Sequence, residues 1–231
     1  LAVSGLAIVA AWLLPTPLGG NIARLQMFFD LPLITVLAWS RRRAVVAVAA
    51  VVLVAWSWSA AEDAVLRARH DPTVDAAYFR PMIAAVRAEA GEVVRVEIPF
   101  TRRHWEAAHV APVLPLARGW ERQLDRERNP VFYEEDGLSA LEYHVWLREN
   151  AVRFVALPSA ELDPSALGEA ALLEAGQPFL RPVWESHDWR VWEVLNAEAL
   201  VSGDVEVVEI AADRILLDAR SPGEVLLRVR F

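Results

Sequence analysis

The chain contains no cysteine and no lysine, and all 23 of its basic residues are arginine. Without cysteine there is no disulfide framework and no thiolate metal or redox site. Positive charge is also in short supply: 31 acids outnumber the arginines, for a formal charge of −8. With no basic stripe, that balance excludes nucleic acid as a partner. There is no glycine-rich phosphate loop, and no Ser/His/Asp order or Glu/Asp pair stands out. What is present is apolar. Hydrophobic residues make up 55% of the 231, too many for a disordered chain. The mean hydropathy is +0.26 although 23% of residues are charged, so two different materials are being averaged.

The two materials separate at Ala60. In residues 1–60 four arginines face Asp30 alone, a charge of +3; in 61–231 nineteen arginines face thirty acids, a charge of −11. Three apolar runs lie in the first part: Leu1–Leu14, Met27–Trp39 (interrupted by Asp30 and Pro32) and Ala44–Ala61. A helix rises about 1.5 Å per residue, so the last run would reach about 27 Å, close to a hydrocarbon core. Trp56 and Trp58 stand at its far end, where interfacial aromatics are expected. These runs predict about three transmembrane helices over 1–60. Arg41-Arg42-Arg43 forms a short basic loop, and such loops stay cytoplasmic. Residues 61–231 are then extracytoplasmic, in a multi-pass protein of the cell membrane. A competing reading takes Arg41–Arg43, the apolar run and Ser59-Ala60-Ala61 as a signal peptide with its cleavage site. Both readings export residues 61–231. The chain begins at Leu1 inside an apolar run and stops at Phe231 inside an alternating strand, so it is expected to be the C-terminal piece of a larger protein.

In the exported part, Ala61–Ala90 has helical spacing, broken at Asp71-Pro72 and closed by Gly91. Val93–Phe100 alternates, with Val94, Val96 and Ile98 on one face and Arg95 and Glu97 on the other, the pattern of a strand with one buried face. Ser139–Asn150 predicts an amphipathic helix with Leu141, Val145 and Trp146 inward. Val152–Leu157 predicts a strand, and Pro164–Ala175 a second helix. This alternation implies a small α/β layer with partly parallel pairing. From Phe179 the pattern is all-β: a hairpin about Ser186-His187-Asp188, then a meander over Val205–Ile210, Arg214–Ala219 and Glu224–Phe231. The expected architecture is therefore membrane α-helices over 1–60, an extracytoplasmic α/β domain over 61–178, and a C-terminal antiparallel β region over 179–231, α+β overall.

Three groups of residues carry candidate chemistry. His104-Trp105-Glu106 through His109 suggests a metal cluster, but its histidines are five apart, roughly 140° out of phase on a helix. A zinc site needs three or four convergent ligands, so no metal site is assigned. The ordinary reading is a histidine and a carboxylate hydrogen-bonded at a domain edge. Arg118, Trp120, Arg122 and Asp125, with Asn129 and Tyr133, mix planar cations, an indole and amides. Arginine forks fit carboxylate and phosphate oxygens, and an indole packs on the apolar face of a sugar. The alternative is a salt-bridged helix, with Arg118, Arg122 and Arg126 at i, i+4 spacing and Glu121 and Asp125 between them. Asn21 and Arg24 lie three apart at the outer boundary, placed to meet a lipid-linked phosphate; alternatively Asn21 is a helix cap and Arg24 a snorkelling arginine.

The order of several segments carries a resemblance. Pro17–Leu25 (PLGGNIARL), His104–Ala107, Leu116–Asp125 (LARGWERQLD), Asn129–Tyr133 (NPVFY) and Trp146–Leu157 follow one another. This arrangement resembles the C-terminal part of multi-pass membrane proteins of high-GC actinobacteria, similar to GT-C type glycosyltransferases and to 6-pyruvoyl-tetrahydropterin synthase-related membrane proteins. The resemblance implies a glycosyltransferase of the cell envelope that uses a polyprenyl-phosphate-linked sugar and requires no cofactor. It implies lipid-phosphate binding at Asn21 and Arg24. It places glycan or acceptor binding at His104, Trp105, Glu106, Arg118, Trp120, Arg122, Asp125, Asn129 and Tyr133. The implied partners are the lipid bilayer, the polyprenyl-phosphate sugar and the envelope glycan. The family's catalytic acid belongs to an early outer loop, which this piece does not contain. The rival reading is a non-catalytic, membrane-anchored module that binds glycan or a partner protein.

Overall fold

The computed structural model describes residues 43–134, 136–210 and 214–228. The chain divides into two compact units, Leu1–His70 and Asp71–Phe231. In the first, helix α1 runs over Arg43–His70. It begins with the apolar run Ala44–Ala61 but does not end there. It continues through Glu62-Asp63 and Arg67 to His70, whose Nδ1 lies 2.9 Å from the Leu66 carbonyl oxygen. The expected membrane-helix architecture over 1–60 is corrected on this point: among the described residues no helix is long and apolar enough to cross a membrane. Instead of a span bounded by its apolar run, α1 is a longer helix with charge in its second half. The runs Leu1–Leu14 and Met27–Trp39, with Asn21 and Arg24, lie outside the described residues.

The second unit opens at Asp71, whose side chain accepts from the Thr73 N–H and caps a 3₁₀ turn, Pro72–Val74. Asp75 then caps helix α2, Ala76–Ala90, through the Ala77 N–H. Gly91, at φ 65°, ends α2 in the left-handed conformation that favours glycine. The apolar residues Phe79, Met82 and Val86 fall at helical spacing and are fully buried. Burying each such side chain contributes roughly 1.5–3 kcal/mol.

A mixed four-stranded sheet is the centre of the unit. Its strands are β1 (Arg95–Glu97), β2 (Val152–Pro158), β3 (Leu180–Glu185) and β4 (Trp189–Val194), ordered β1-β2-β4-β3. β1 and β2 are parallel, and β4 is antiparallel to both β2 and β3. The parallel pair needs a crossover. The chain between supplies short helices α3 (Glu106–His109) and α4 (Arg122–Arg128) and then α5 (Ala140–Glu149). Helix α6 (Leu167–Ala175) follows β2.

Both sheet faces are covered. Phe154 and Ala156 of β2 pack with Val96, Trp189, Val191 and helix α2. Val155 and Leu157 pack on the opposite side with Tyr143, Trp146 and Leu147 of α5 and Ala170 and Leu173 of α6. β1 is therefore not a strand with one wet face: Glu97 is buried as fully as Val96, and Arg95 is buried too. Helix α5 is also turned from the predicted orientation: Trp146 is inward as expected, but Leu141 and Val145 are exposed and Tyr143 and Leu147 point inward instead. The aromatic side chains fill the space between sheet and helix better than the smaller aliphatic pair.

The hairpin β3–β4 joins this central sheet rather than a separate C-terminal β region. The expected meander is likewise divided. β6 (Val205–Ile210) pairs with β7 (Ile215–Ala219), whereas β8 (Leu226–Leu227) returns to pair with β5 (Val201–Ser202). The result is an α+β unit with a mixed sheet and two small ribbons.

Candidate functional site

The site is built along the edge of the sheet, on the side of β1 away from β2. Residues Pro115–Ala117 run parallel to that strand: the Val96 N–H donates to the Pro115 carbonyl, and the Ala117 N–H donates to the Val96 carbonyl, each at 2.9 Å. This extra pairing blunts the sheet edge and sets Arg118 beside Glu97. The Arg118 Nε–H donates to Glu97 Oε1 at 2.7 Å, and Nη2 donates to Glu169 Oε2 at 2.6 Å. The guanidinium lies over the rings of Phe132, 3.7 Å from the centroid, and Phe100, 4.3 Å away.

A shell of polar side chains closes the cage. The Tyr143 hydroxyl donates to Glu169 Oε1 at 2.7 Å. The Tyr133 hydroxyl donates to Asp125 Oδ2 at 2.6 Å, and the Asn129 amide donates to Asp125 Oδ1 at 2.9 Å. The Trp146 indole N–H in turn donates to Asn129 Oδ1 at 2.9 Å. Arg118 Nη1 alone has no hydrogen-bond partner and lies 3.7 Å from Asp125 Oδ2.

One guanidinium thus faces three carboxylates out of water. Burial pushes the Glu97 carboxyl well above the usual range; Arg118 opposes this, and the charge of Glu169 adds to it. Burial also raises Glu169, against the pull of Arg118 and Tyr143. Burial pushes Tyr133, hydrogen-bonded to Asp125, up to about 12. For Arg118, burial favours the neutral form, but Glu97, Glu169 and Asp125 outweigh it and fix the positive charge.

A second cluster lies where the loops after β1 and β2 meet. These loops are stitched together by the Arg102 N–H donating to the Glu161 carbonyl and the Asp163 N–H donating to the Phe100 carbonyl. His104, at φ 57°, places Nδ1 3.5 Å from Glu106 Oε1 and Nε2 3.7 Å from Asp163 Oδ2. Glu106 accepts from the Thr101 hydroxyl, and Asp163 accepts from Arg122. Burial pushes Asp163 up, but the Ser165 N–H and hydroxyl, Arg122 and His104 outweigh it and hold the carboxyl below the usual range. The two carboxylates meet opposite edges of the imidazole, so the three side chains do not converge on one point. Among the described residues there is no group of three histidines or acids placed to hold a metal.

Beside the cage is a cleft of about 470 Å³. Arg118, Asp125, Asn129 and Asn150 contribute to its polar lining, while Trp120, Leu124 and Pro115 contribute apolar surface. Trp120 is 61% exposed. A larger hollow of about 800 Å³ lies toward the β5–β8 and β6–β7 ribbons. Its Arg87, Arg153 and Arg220 are engaged with the Val113 carbonyl, Glu193 and Glu206 respectively. The smaller cleft is the better candidate, because it joins an exposed aromatic face to a polar floor.

The residues predicted from sequence therefore divide. Arg118, Asp125, Asn129 and Tyr133 form one largely buried network. His104, Glu106 and Arg122 form the second cluster. Trp105 stacks on His109, 5.7 Å between ring centroids. Trp120 faces solvent. The salt-bridged-helix alternative is not realised, because α4 begins only at Arg122. Sequence reasoning missed Glu97, Glu169, Tyr143 and Trp146 in the cage, and Thr101 and Asp163 in the second cluster. No protein-family model, curated protein or solved structure matches the chain.

Proposed function

We propose that residues 71–228 form a carbohydrate-binding unit, held outside the cytoplasm at the cell membrane. It positions an envelope glycan for a glycosyltransferase that draws its sugar from a polyprenyl-phosphate donor. The observation that carries the reading is Trp120, an indole exposed over 61% of its surface beside a cleft lined by Arg118, Asp125, Asn129 and Asn150. An indole face covers the C–H face of a pyranose, and fixed polar groups beside it meet the hydroxyls. The cage supports the reading indirectly, because it holds these groups on packed elements rather than on a free loop.

One feature favours the rival reading of a non-catalytic glycan-binding module. Arg118, Asp125 and Glu169 are engaged with one another, so within this unit they serve architecture and orientation rather than proton transfer. The experiment that tests the shared claim is a glycan array probed with the full chain and with Trp120→Ala. Retained glycans that the variant no longer holds support carbohydrate binding. An array on which the wild-type chain retains nothing refutes it. Transfer from a polyprenyl-phosphate sugar by the protein carrying this chain then separates the enzyme from the module.

A further inference from the structure

Which sugar the cleft beside the cage takes depends on which of its lining groups reach solvent. Its polar floor offers few hydrogen-bonding positions. Arg118, Asp125, Asn129 and Asn150 are all buried, and they bond chiefly within the protein. Arg118 is held by Glu97 and Glu169. Asp125 accepts from Tyr133 and Asn129, Asn129 accepts from Trp146, and the Asn150 amide donates to the Trp146 carbonyl at 2.8 Å.

The lining that does reach solvent is largely apolar. Trp120 is 61% exposed and Leu124 43%. Ala111 is exposed as well, and Pro115 and Leu116 are half-buried. Leu124 stands in the first turn of α4 (Arg122–Arg128), and Asp125, next along the same helix, is tied into the cage. Leu124 is thus carried on a fixed turn rather than on a free loop. Glu121 and Arg128 are the exposed charged residues of the lining.

We infer, on the basis of the glycan reading above, that this cleft takes pyranoses carrying an apolar substituent, the methyl of a 6-deoxy sugar or of an acetamido group. That methyl is seated against Leu124 while the C–H face of the ring covers Trp120. A hydroxyl at the same place leaves water and gains no partner from Leu124, Ala111 or Pro115, an unfavourable exchange. A methyl there needs no partner, and removing it from water tightens binding about fourfold. The Trp120 face serves both kinds of sugar, so the apolar wall decides between them.

The test uses the full chain and titrations followed by saturation-transfer NMR. The probes are methyl glycosides in matched pairs. Galactoside, glucoside and mannoside are each compared with the 6-deoxy form, and glucoside is also compared with N-acetylglucosaminide. The aglycone and the ring are common to each pair, so only the substituent differs. The expected result is that at least one methyl-bearing glycoside binds at least about threefold more tightly than its parent. Preference confined to the 6-deoxy pairs or to the acetamido pair identifies the source of the methyl. Trp120→Ala abolishes binding of both members of a pair. Leu124→Ser, at an exposed position, brings the two members to equal affinity while the parent still binds. Parents that bind as tightly as their partners in every pair overturn the inference and leave carbohydrate binding intact, as does a preference that survives Leu124→Ser. No binding of any pyranose overturns both.

Discussion

Replacing Arg118 with methionine removes the only guanidinium of the cage and leaves its shape largely filled. Glu97, Glu169 and Asp125 then face one another without it. Breaking a buried ion pair from one side costs about 3–5 kcal/mol, because the remaining charge is uncompensated. Here two acids lie within 2.7 Å of the lost group, and the packing of the guanidinium on Phe100 and Phe132 goes with it. The upper half of that range is expected. Domains are stable by roughly 5–15 kcal/mol, so the variant sits near the threshold of folding. With a urea slope of about 2 kcal/mol per molar, the midpoint falls by about 2 M at pH 7. The assay is urea unfolding followed by tryptophan fluorescence. The deficit should shrink at pH 5, where the orphaned carboxylates take up protons. A midpoint within about 0.5 M of wild type at pH 7 would refute the reasoning, because the cage would then contribute little.

Other outcomes follow from the same geometry. Glu97→Gln is expected to cost less stability than Glu169→Gln, since Glu97 accepts from Arg118 while Glu169 accepts from both Arg118 and Tyr143; urea midpoints of the two variants check this. In the unfolded chain Glu97 titrates near the usual glutamate value, about 4.3, and burial raises it in the folded chain. Stability therefore falls as pH rises through the raised folded value, and the Glu97→Gln chain should lose that slope. Gly91→Ala should cost about 1–2 kcal/mol in thermal or urea unfolding, because the position has φ 65° and the added Cβ meets nothing within 4 Å, leaving backbone strain alone. Leu141→Ser combined with Val145→Ser should change stability by no more than about 0.5 kcal/mol per site, as both residues face outward.

Helix ends and strand alternation were legible because they are local. Asp71-Pro72, Gly91 and the Pro164 start mark real boundaries, and the parallel pairing of β1 with β2 agrees with the strand–helix–strand order. The inward face of α5 was misread in part: Trp146 is inward as expected, but Leu141/Val145 and Tyr143/Leu147 both have helical spacing relative to it, and only the partner sheet decides between them. Glu97 was assigned to a solvent face because alternation reports side, not exposure. Its burial depends on Arg118, twenty-one positions later, and on Glu169, fifty-one beyond that. No spacing rule connects such positions. Arg118 itself was singled out for its chemistry, and its principal role within the fold proved to be pairing with those acids. Trp120 was singled out from the sequence for its place among arginines, and the structure adds that its indole is exposed over 61% of its surface.

The central claim is that a sugar docks on Trp120. The direct measurement is a two-dimensional ¹H–¹⁵N spectrum of the indole N–H signals of the full chain, with the Trp120 signal assigned by its loss in Trp120→Phe. The chain is titrated with the glycan that the array retains most strongly. The account predicts that the Trp120 signal moves in proportion to occupancy, while those of the buried Trp146 and Trp189 stay in place. A stationary Trp120 signal at saturating sugar would contradict it.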